Sequence, residues 1–401
     1  MKILVVTQYF YPEEFKINDL VKGMVEKGHE VTVLTGKPNY PGGKILNGYK
    51  KWTVTKETVF GATVIRVPII PRGSGKTIPL IANYFSFVFS SCFYQMTHCL
   101  RPDKIFVWDS SPILQAYAGI RVKKKTGVDM SMWVQDLWPE SITAAKGIKG
   151  GPVMSLLTKM VRNIYRHFDT LFVQSPAFEE SIRQKGQFKA RFIHAPNWAE
   201  DVFTTPESQI DVSRYQSLMP KGFIVMFAGN IGAAQDFENI LKAAKITRRN
   251  PDIHWVIVGD GRMRKAAEEI CKHEQLEDCV HFLGRFPYAE MPHFFIHADV
   301  MLLSLRDEHI FSLTIPSKTQ AYMAAGKPIA TMISGIGNEV VREAGCGMTA
   351  NAGDASQLAE NIVKLKAMPR EELKLMGKKG HQYYQEHFQK DKVISRIIDN
   401  L

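Results

Sequence analysis

Phe223-Ile224-Val225-Met226-Phe227-Ala228 is an unbroken apolar run, and Gly229-Asn230-Ile231-Gly232 follows it at once. Phe237, Ile240, Leu241 and Ala244 then recur at helical spacing. A second apolar run, His254-Trp255-Val256-Ile257-Val258, closes on Gly259-Asp260-Gly261. A strand that is apolar at every position has both faces covered, and the 3–4 spacing between two such strands predicts a crossover helix. The unit takes about 30 residues, as a βαβ unit does. It implies a parallel sheet with helices on both sides.

The same grammar opens the chain. Ile3–Thr7 reads as a buried strand, Ile17, Leu20, Val21, Met24 and Val25 as a helix ended by Gly28-His29, and Val31–Thr35 as the next strand. Further apolar strands are expected at Lys104–Val107, Met130–Val134 and Leu171–Gln174, and at Val280–Leu283, Val300–Leu303 and Pro328–Met332. Two such units some 220 residues apart predict an α/β protein of two Rossmann-like domains, 1–200 and 201–380. The polar, turn-rich stretch between Pro196 and Pro220 forms the boundary. The tail from Glu371 reads as helical, with 381–401 expected to pack back toward the first domain.

At 401 residues the chain is comfortable for two domains. Residues 1–200 hold 27 Lys and Arg against 15 Asp and Glu, a net +12, while the rest is nearly neutral. A basic half suits an anionic membrane surface or a phosphorylated ligand, and no nucleic-acid motif accompanies it. The five cysteines are odd in number and form no C-x-x-C pair, which fits a reducing compartment and neither a disulfide framework nor a zinc ribbon. The first residues read as a strand and not as a signal peptide. Thr77–Leu100 carries no Asp, Glu, Lys or Arg, but Asn83, Ser86, Ser90, Ser91, Gln95 and His98 interrupt it. The interruptions favour a helix buried in the fold over one that touches a membrane, with a spanning helix third.

In open α/β sheets ligands bind beyond the carboxyl ends of the strands. The Gly229–Gly232 loop suits a phosphate, or serves only to turn the chain. Neither it nor Gln8–Glu14 spells G-x-G-x-x-G, and no G-x-x-x-x-G-K-[ST] occurs, so a nicotinamide enzyme is disfavoured and a P-loop enzyme excluded. Ser312–Lys318 precedes an apolar helix. Ser317 reads as its N-cap, and Lys318 beside the free N–H groups suits a diphosphate. The competing reading is a plain capped helix with a solvated lysine. Trp133-Val134-Gln135-Asp136-Leu137-Trp138-Pro139-Glu140 stands at the end of a strand, where an acid and two tryptophans suit a sugar and equally suit a cap and a core. His293 and His297 stand four apart with no third ligand in register, so a metal site is not expected.

Together these stretches resemble glycosyltransferase family 4, the retaining enzymes of the two-Rossmann GT-B fold, in the O-antigen and capsule branch of fucosamine-transferase-like proteins. The resemblance runs through Val6–Tyr11, Asn18–Leu20, Leu34–Pro41, Gln135–Ser141, Pro196–Trp198, Phe227–Gly232, Val258–Gly261, Phe282–Gly284, Pro316–Lys318 and Ala324–Pro328. It implies two parallel sheets facing across a cleft. The second domain would bind a UDP-sugar donor, the first a polyprenyl-diphosphate-linked saccharide, and no metal or other cofactor would be needed. Donor contacts carry over to Gly229, Asn230, Gly232, Gly259, Gly284, Ser317 and Lys318. Acceptor contacts fall at Asn18, Trp138 and Glu140. Asp136 stands beside the family's cleft histidine, replaced here by Gln135, and takes the catalytic role. Leu313 and Ala321 occupy the places of two donor-site glutamates, and the Arg and Lys usual after the glycine loop are missing, so Lys318, Arg262 or Arg285 would carry the charge. The implied function is transfer of a sugar, an N-acetylated deoxyhexose, in surface-polysaccharide synthesis. The enzyme would work in the cytoplasm, peripherally on the inner leaflet of the membrane. A sugar-nucleotide epimerase and an inactive nucleotide-sugar-binding protein are the alternatives.

Overall fold

The computed structural model describes residues 1–74, 76–142 and 151–401. These divide into two compact units, Met1–Pro196 with Asp391–Leu401, and Asn197–Lys390.

The first unit holds an eight-stranded sheet. Its strands are β1 (Lys2–Val6), β2 (Glu30–Gly36), β3 (Thr55–Val59), β4 (Ala62–Val67), β5 (Lys104–Asp109), β6 (Met130–Val134), β7 (Thr170–Val173) and β8 (Arg191–His194). Their order is β3-β4-β2-β1-β5-β6-β7-β8, and only the β3–β4 pairing is antiparallel. The order reverses between β1 and β5, a topological switch point. The β3–β4 hairpin and β8 lie outside the expected strands. β3 is polar but for its last residue, Val59, and is held by the buried Arg66 of β4, whose Nε donates to Glu57 at 2.5 Å. Such a strand shows no apolar pattern to read.

The second unit holds six parallel strands: β9 (Phe223–Ala228), β10 (Ile253–Val258), β11 (Val280–Gly284), β12 (Val300–Ser304), β13 (Ile329–Met332) and β14 (Gly347–Ala350). Their order, β11-β10-β9-β12-β13-β14, is the doubly wound one, with its switch point between β9 and β12. Alternation along β9 shows why that strand is apolar throughout. Val225 and Phe227 enter one buried cluster with the helix Phe237–Thr247, while Ile224, Met226 and Ala228 enter the other with the helix Ser317–Ala324.

The tail forms two helices, Arg370–His387 and Lys390–Ile398, with no break at 381. The second belongs to the first unit. Val393, Ile394, Ile397 and Ile398 are buried there, and a methyl on Gly23 of the helix Lys16–Glu26 would lie 2.6 Å from Ile394 Cγ2. Lys27 Nζ reaches Asp399 at 3.1 Å, and Arg396 Nη1 donates to the His194 carbonyl at 3.0 Å.

Thr77–Thr97 is a helix, but the expectation that it is buried fails. Asn83, Phe87, Ser91, Tyr94 and Gln95 face the protein, whereas Ile78, Ile81, Phe85, Phe89, Phe93 and Met96 are exposed. Composition alone does not distinguish a buried uncharged helix from one with an open apolar face.

Candidate active site

At the carboxyl ends of β9, β10 and β11 the second unit opens a cavity of about 830 Å³. Its floor is backbone. Gly229 N donates to the Val258 carbonyl at 2.8 Å, Gly259 N to Gly284 at 2.8 Å, and Ile231 N to Asp260 at 2.9 Å, so the three loops after the strands interlock. Gly229 and Gly259 hold φ of +133° and +155°, and a side chain on Gly259 would stand 1.8 Å from the Gly229 oxygen. Close approach of backbone to backbone therefore fixes glycine at 259, while at 229 the positive φ and the Lys318 side chain, 2.8 Å from where a Cβ would stand, do so.

Lys318 lies on this cavity in the first turn of the helix Ser317–Ala324. Pro316, not Ser317, is the cap residue, and no side chain caps the helix: a correction to the expected Ser317 N-cap. The first-turn N–H groups are thus not occupied by a capping side chain. Lys318 Nζ sits 3.5 Å above the centre of the Phe227 ring, and among the described residues no carboxylate pairs with it. Burial alone pulls its pKa down to about 7. An ammonium that is enclosed, unpaired and beside an open helix N-terminus is arranged for an anion. Arg285, exposed and also on the cavity, adds a second cation.

Part of the wall is aromatic. Phe203 stacks on Phe295 with ring centres 5.3 Å apart and meets Tyr288 edge-on at 5.1 Å, while Tyr322 reaches the Ala228 carbonyl through its hydroxyl at 3.3 Å. Tyr288 donates to Glu200 at 2.5 Å, and burial raises its phenol. Such a wall suits a flat, partly polar group such as a nucleobase and ribose. Sequence reasoning did not select Glu200, Phe203, Phe286, Tyr288 or Tyr322, since an aromatic on a cavity wall carries the same signal as one in a core.

Of the expected donor residues, Gly229, Asn230, Gly259, Arg285, Ser317 and Lys318 line the cavity. Gly232, Arg262 and Gly284 do not. Gly232 N is bonded to Gln235 Oε1 at 3.0 Å, Arg262 is exposed, and Gly284 shapes the loop at φ +88°.

In the first unit Asp136 follows β6. Ser141 donates its hydroxyl to Asp136 Oδ1. Burial lifts its pKa above the usual carboxylate value, against hydrogen bonds from Ser141, Ser111 and Trp138. Asp109, at the end of the neighbouring β5, is fully buried, and burial and then the Asp136 charge hold it well above that range. Trp138 is buried with Nε1 donating to Ser111 Oγ at 3.0 Å, so its ring is packed away and offers no open face for a sugar. Glu140 is taken by Lys185 at 2.6 Å. Asn18 accepts from Tyr11 N at 3.0 Å and donates to the Glu13 carbonyl at 2.7 Å, and so holds the loop after β1. His293 and His297 bond the Asp211 and Arg214 carbonyls and pin that loop.

Residues 15–198 match the model of the glycosyl transferase 4-like domain, and residues 210–383 that of the glycosyl transferases group 1. The two matches lie one in each unit, and the chain is a glycosyltransferase. It is 29% identical over 339 residues, 81% of this chain and 82% of the relative, to WcaI of Escherichia coli K12, assigned to colanic acid biosynthesis as a glycosyl transferase. Sucrose-phosphate synthase from Thermosynechococcus elongatus superposes with a TM-score of 0.74 at 17% identity, covering 100% of this chain and 98% of that one. Anabaena HepE, solved with UDP and glucose, superposes with a TM-score of 0.68 at 17% identity over 100% and 99%. The fold is GT-B.

Proposed function

We propose that the chain transfers a sugar, an N-acetylated deoxyhexose, from a UDP-linked donor to a polyprenyl-diphosphate-linked saccharide, with retention at the anomeric carbon, on the cytoplasmic leaflet of the membrane. The observation that carries the donor half is Lys318, an unpaired ammonium at an uncapped helix N-terminus on a cavity with an aromatic wall. Lys318, Arg285 and the helix N–H groups would hold the diphosphate and stabilise the charge that develops on it as the sugar departs, without a metal. The aromatic wall would take the base, and the HepE complex with UDP and glucose supports uridine. In the first unit Asp136 would accept, or orient, the acceptor hydroxyl proton. The relative in colanic acid biosynthesis supports a surface-polysaccharide acceptor.

The test is donor consumption with and without a lipid-diphosphate saccharide, preceded by a thermal-shift screen of nucleotide-sugars. A donor bound only by the folded state raises the melting temperature, by about 2.7 kcal/mol of stability at a hundredfold excess over Kd. UDP-sugars are expected to shift it and to be consumed only with acceptor. Equal consumption of donor alone would identify a hydrolysing epimerase instead.

Lys318→Met keeps the bulk and removes the charge. Donor affinity is expected to fall by about 1.5–3 kcal/mol, roughly 10–150-fold, by calorimetry. With a donor-free pKa near 7, Lys318 is half deprotonated at neutrality, and a bound diphosphate favours the ammonium. Binding above pH 7 therefore takes up a proton, and affinity weakens as pH rises through 7. Titrations in buffers of different ionisation enthalpy will show that uptake in the native chain and not in the variant. Unchanged affinity in Lys318→Met would remove Lys318 from the site.

A further inference from the structure

The helix Thr77–Thr97 has two unlike faces. Gln8 Nε2 donates to Asn83 Oδ1 at 2.6 Å, Asn83 Nδ2 to the Ile70 carbonyl at 2.6 Å, and Gln95 Nε2 to the Ala118 carbonyl at 3.0 Å. Together with buried Phe87, Ser91 and Tyr94 they fasten one side to the first unit. On the other side Ile78, Ile81, Phe85, Phe89, Phe93 and Met96 succeed one another at intervals of three or four residues, which makes a single stripe roughly 27 Å long. The stripe is open: Ile78 is 81% exposed, Phe89 73% and Met96 66%, and the Phe89 and Phe93 rings lie stacked along it. A contiguous apolar surface of this length is not left in water without a partner.

We infer that this helix lies flat in the surface of an anionic bilayer, with the stripe sunk among the upper acyl chains and the Asn83–Gln95 face kept on the protein. The charges around it select the occupant. The helix has no charged residue of its own. Exposed Lys76 precedes it, and at its other end stand exposed Arg101 and Lys125, with Lys125 Nζ bonded to the Gln95 carbonyl at 3.0 Å. Cations at both ends suit anionic headgroups above an inserted apolar strip. Two copies paired through the stripe, parallel or antiparallel, would set these cations against cations. Among the described residues this is the one helix long and apolar enough to cross a membrane. Crossing would strip the buried amides of Asn83 and Gln95 from their partners, so the helix lies along the surface. The inference deepens the lipid-linked acceptor reading by naming the face that meets the lipid.

The experiment uses the full chain and vesicles of phosphatidylcholine with and without phosphatidylglycerol, lacking donor and acceptor, so that its result does not depend on the reaction. The native chain is expected to sediment with the anionic vesicles, to lose only part of that binding at high salt, and to bind neutral vesicles weakly. Phe85→Ser/Phe89→Ser/Phe93→Ser replaces exposed side chains, should keep the melting temperature and nucleotide-sugar shift, and is expected to lower vesicle partitioning by about tenfold or more. In a Phe89→Trp variant, brominated lipids should quench fluorescence beyond the native level, a direct reading of insertion. Unchanged partitioning of the folded triple variant, or no added quenching at position 89, would overturn the inference. A native dimer that the triple variant turns into a monomer, with vesicle binding intact, would overturn it in favour of a second copy.

Discussion

Asp136→Asn is expected to lower turnover by about 10²–10⁴-fold, the usual worth of a positioned acid or base, with donor affinity nearly unchanged. Asparagine keeps the shape and can still accept the Ser141 hydroxyl, but it cannot take a proton. Asp136 belongs to the first unit, whereas every residue lining the donor cavity belongs to the second, so donor binding gives an internal control. Asp109 bears on the same reading. Two neighbouring carboxyls do not both ionise readily, and the fully buried one is held more strongly in its neutral form, which leaves the charge on Asp136. Because burial raises Asp136, native turnover should fall as pH drops through a value above the ordinary carboxylate range, and the variant should lose that acid limb. Single-turnover rates over a pH series check both points. Near-native turnover in Asp136→Asn would exclude proton transfer to Asp136.

Gly259→Ala is expected to cost the second unit its donor site. The backbone there has φ +155°, and the new methyl would stand 1.8 Å from the Gly229 oxygen and 3.3 Å from its nitrogen. Neither atom is a flexible side-chain end, so the Gly229 loop must shift. Overpacking of this kind costs about 1–3 kcal/mol, which corresponds to a drop of roughly 2–12 °C in melting temperature for a domain of this size. The nucleotide-sugar shift should vanish with it, since Gly229, Asn230 and Lys318 would no longer share one surface. Gly42→Ala, where nothing lies within 4 Å of the new methyl and φ is ordinary, is the control expected to change neither. A Gly259→Ala protein with native melting temperature and donor shift would show that the interlocked loops yield freely.

What the sequence revealed follows from where signals are local. Buried parallel strands are apolar at every position, so β9, β10 and β12 stand out, as do the glycines that end them. Lys318 could be found because Pro-Ser directly before a lysine marks the start of a helix, where a cation and free N–H groups come together. The aromatic wall could not, because Phe203, Tyr288 and Tyr322 come from separate elements and become a wall only when the sheet assembles. Trp138 shows the reverse error: a tryptophan beside an acid resembles a sugar platform, but its ring is packed and its indole nitrogen bonded. The helix Thr77–Thr97 misled for a third reason. Burial depends on what packs against each face, and spacing gives the faces without saying which is covered.

The return of the last helix to the first unit sets an order on synthesis. The ribosome completes Met1–Pro196 early, yet that unit lacks Val393, Ile394, Ile397 and Ile398 until the second unit has been made and they emerge in turn. At about 5–20 residues per second the intervening stretch delays them by roughly 10–40 s. The second unit is therefore the first to be complete, and the first waits with the seat beside Gly23 empty. A message that stops before codon 391 would yield a finished second unit joined to a first unit with its apolar seat open to chaperones and proteases.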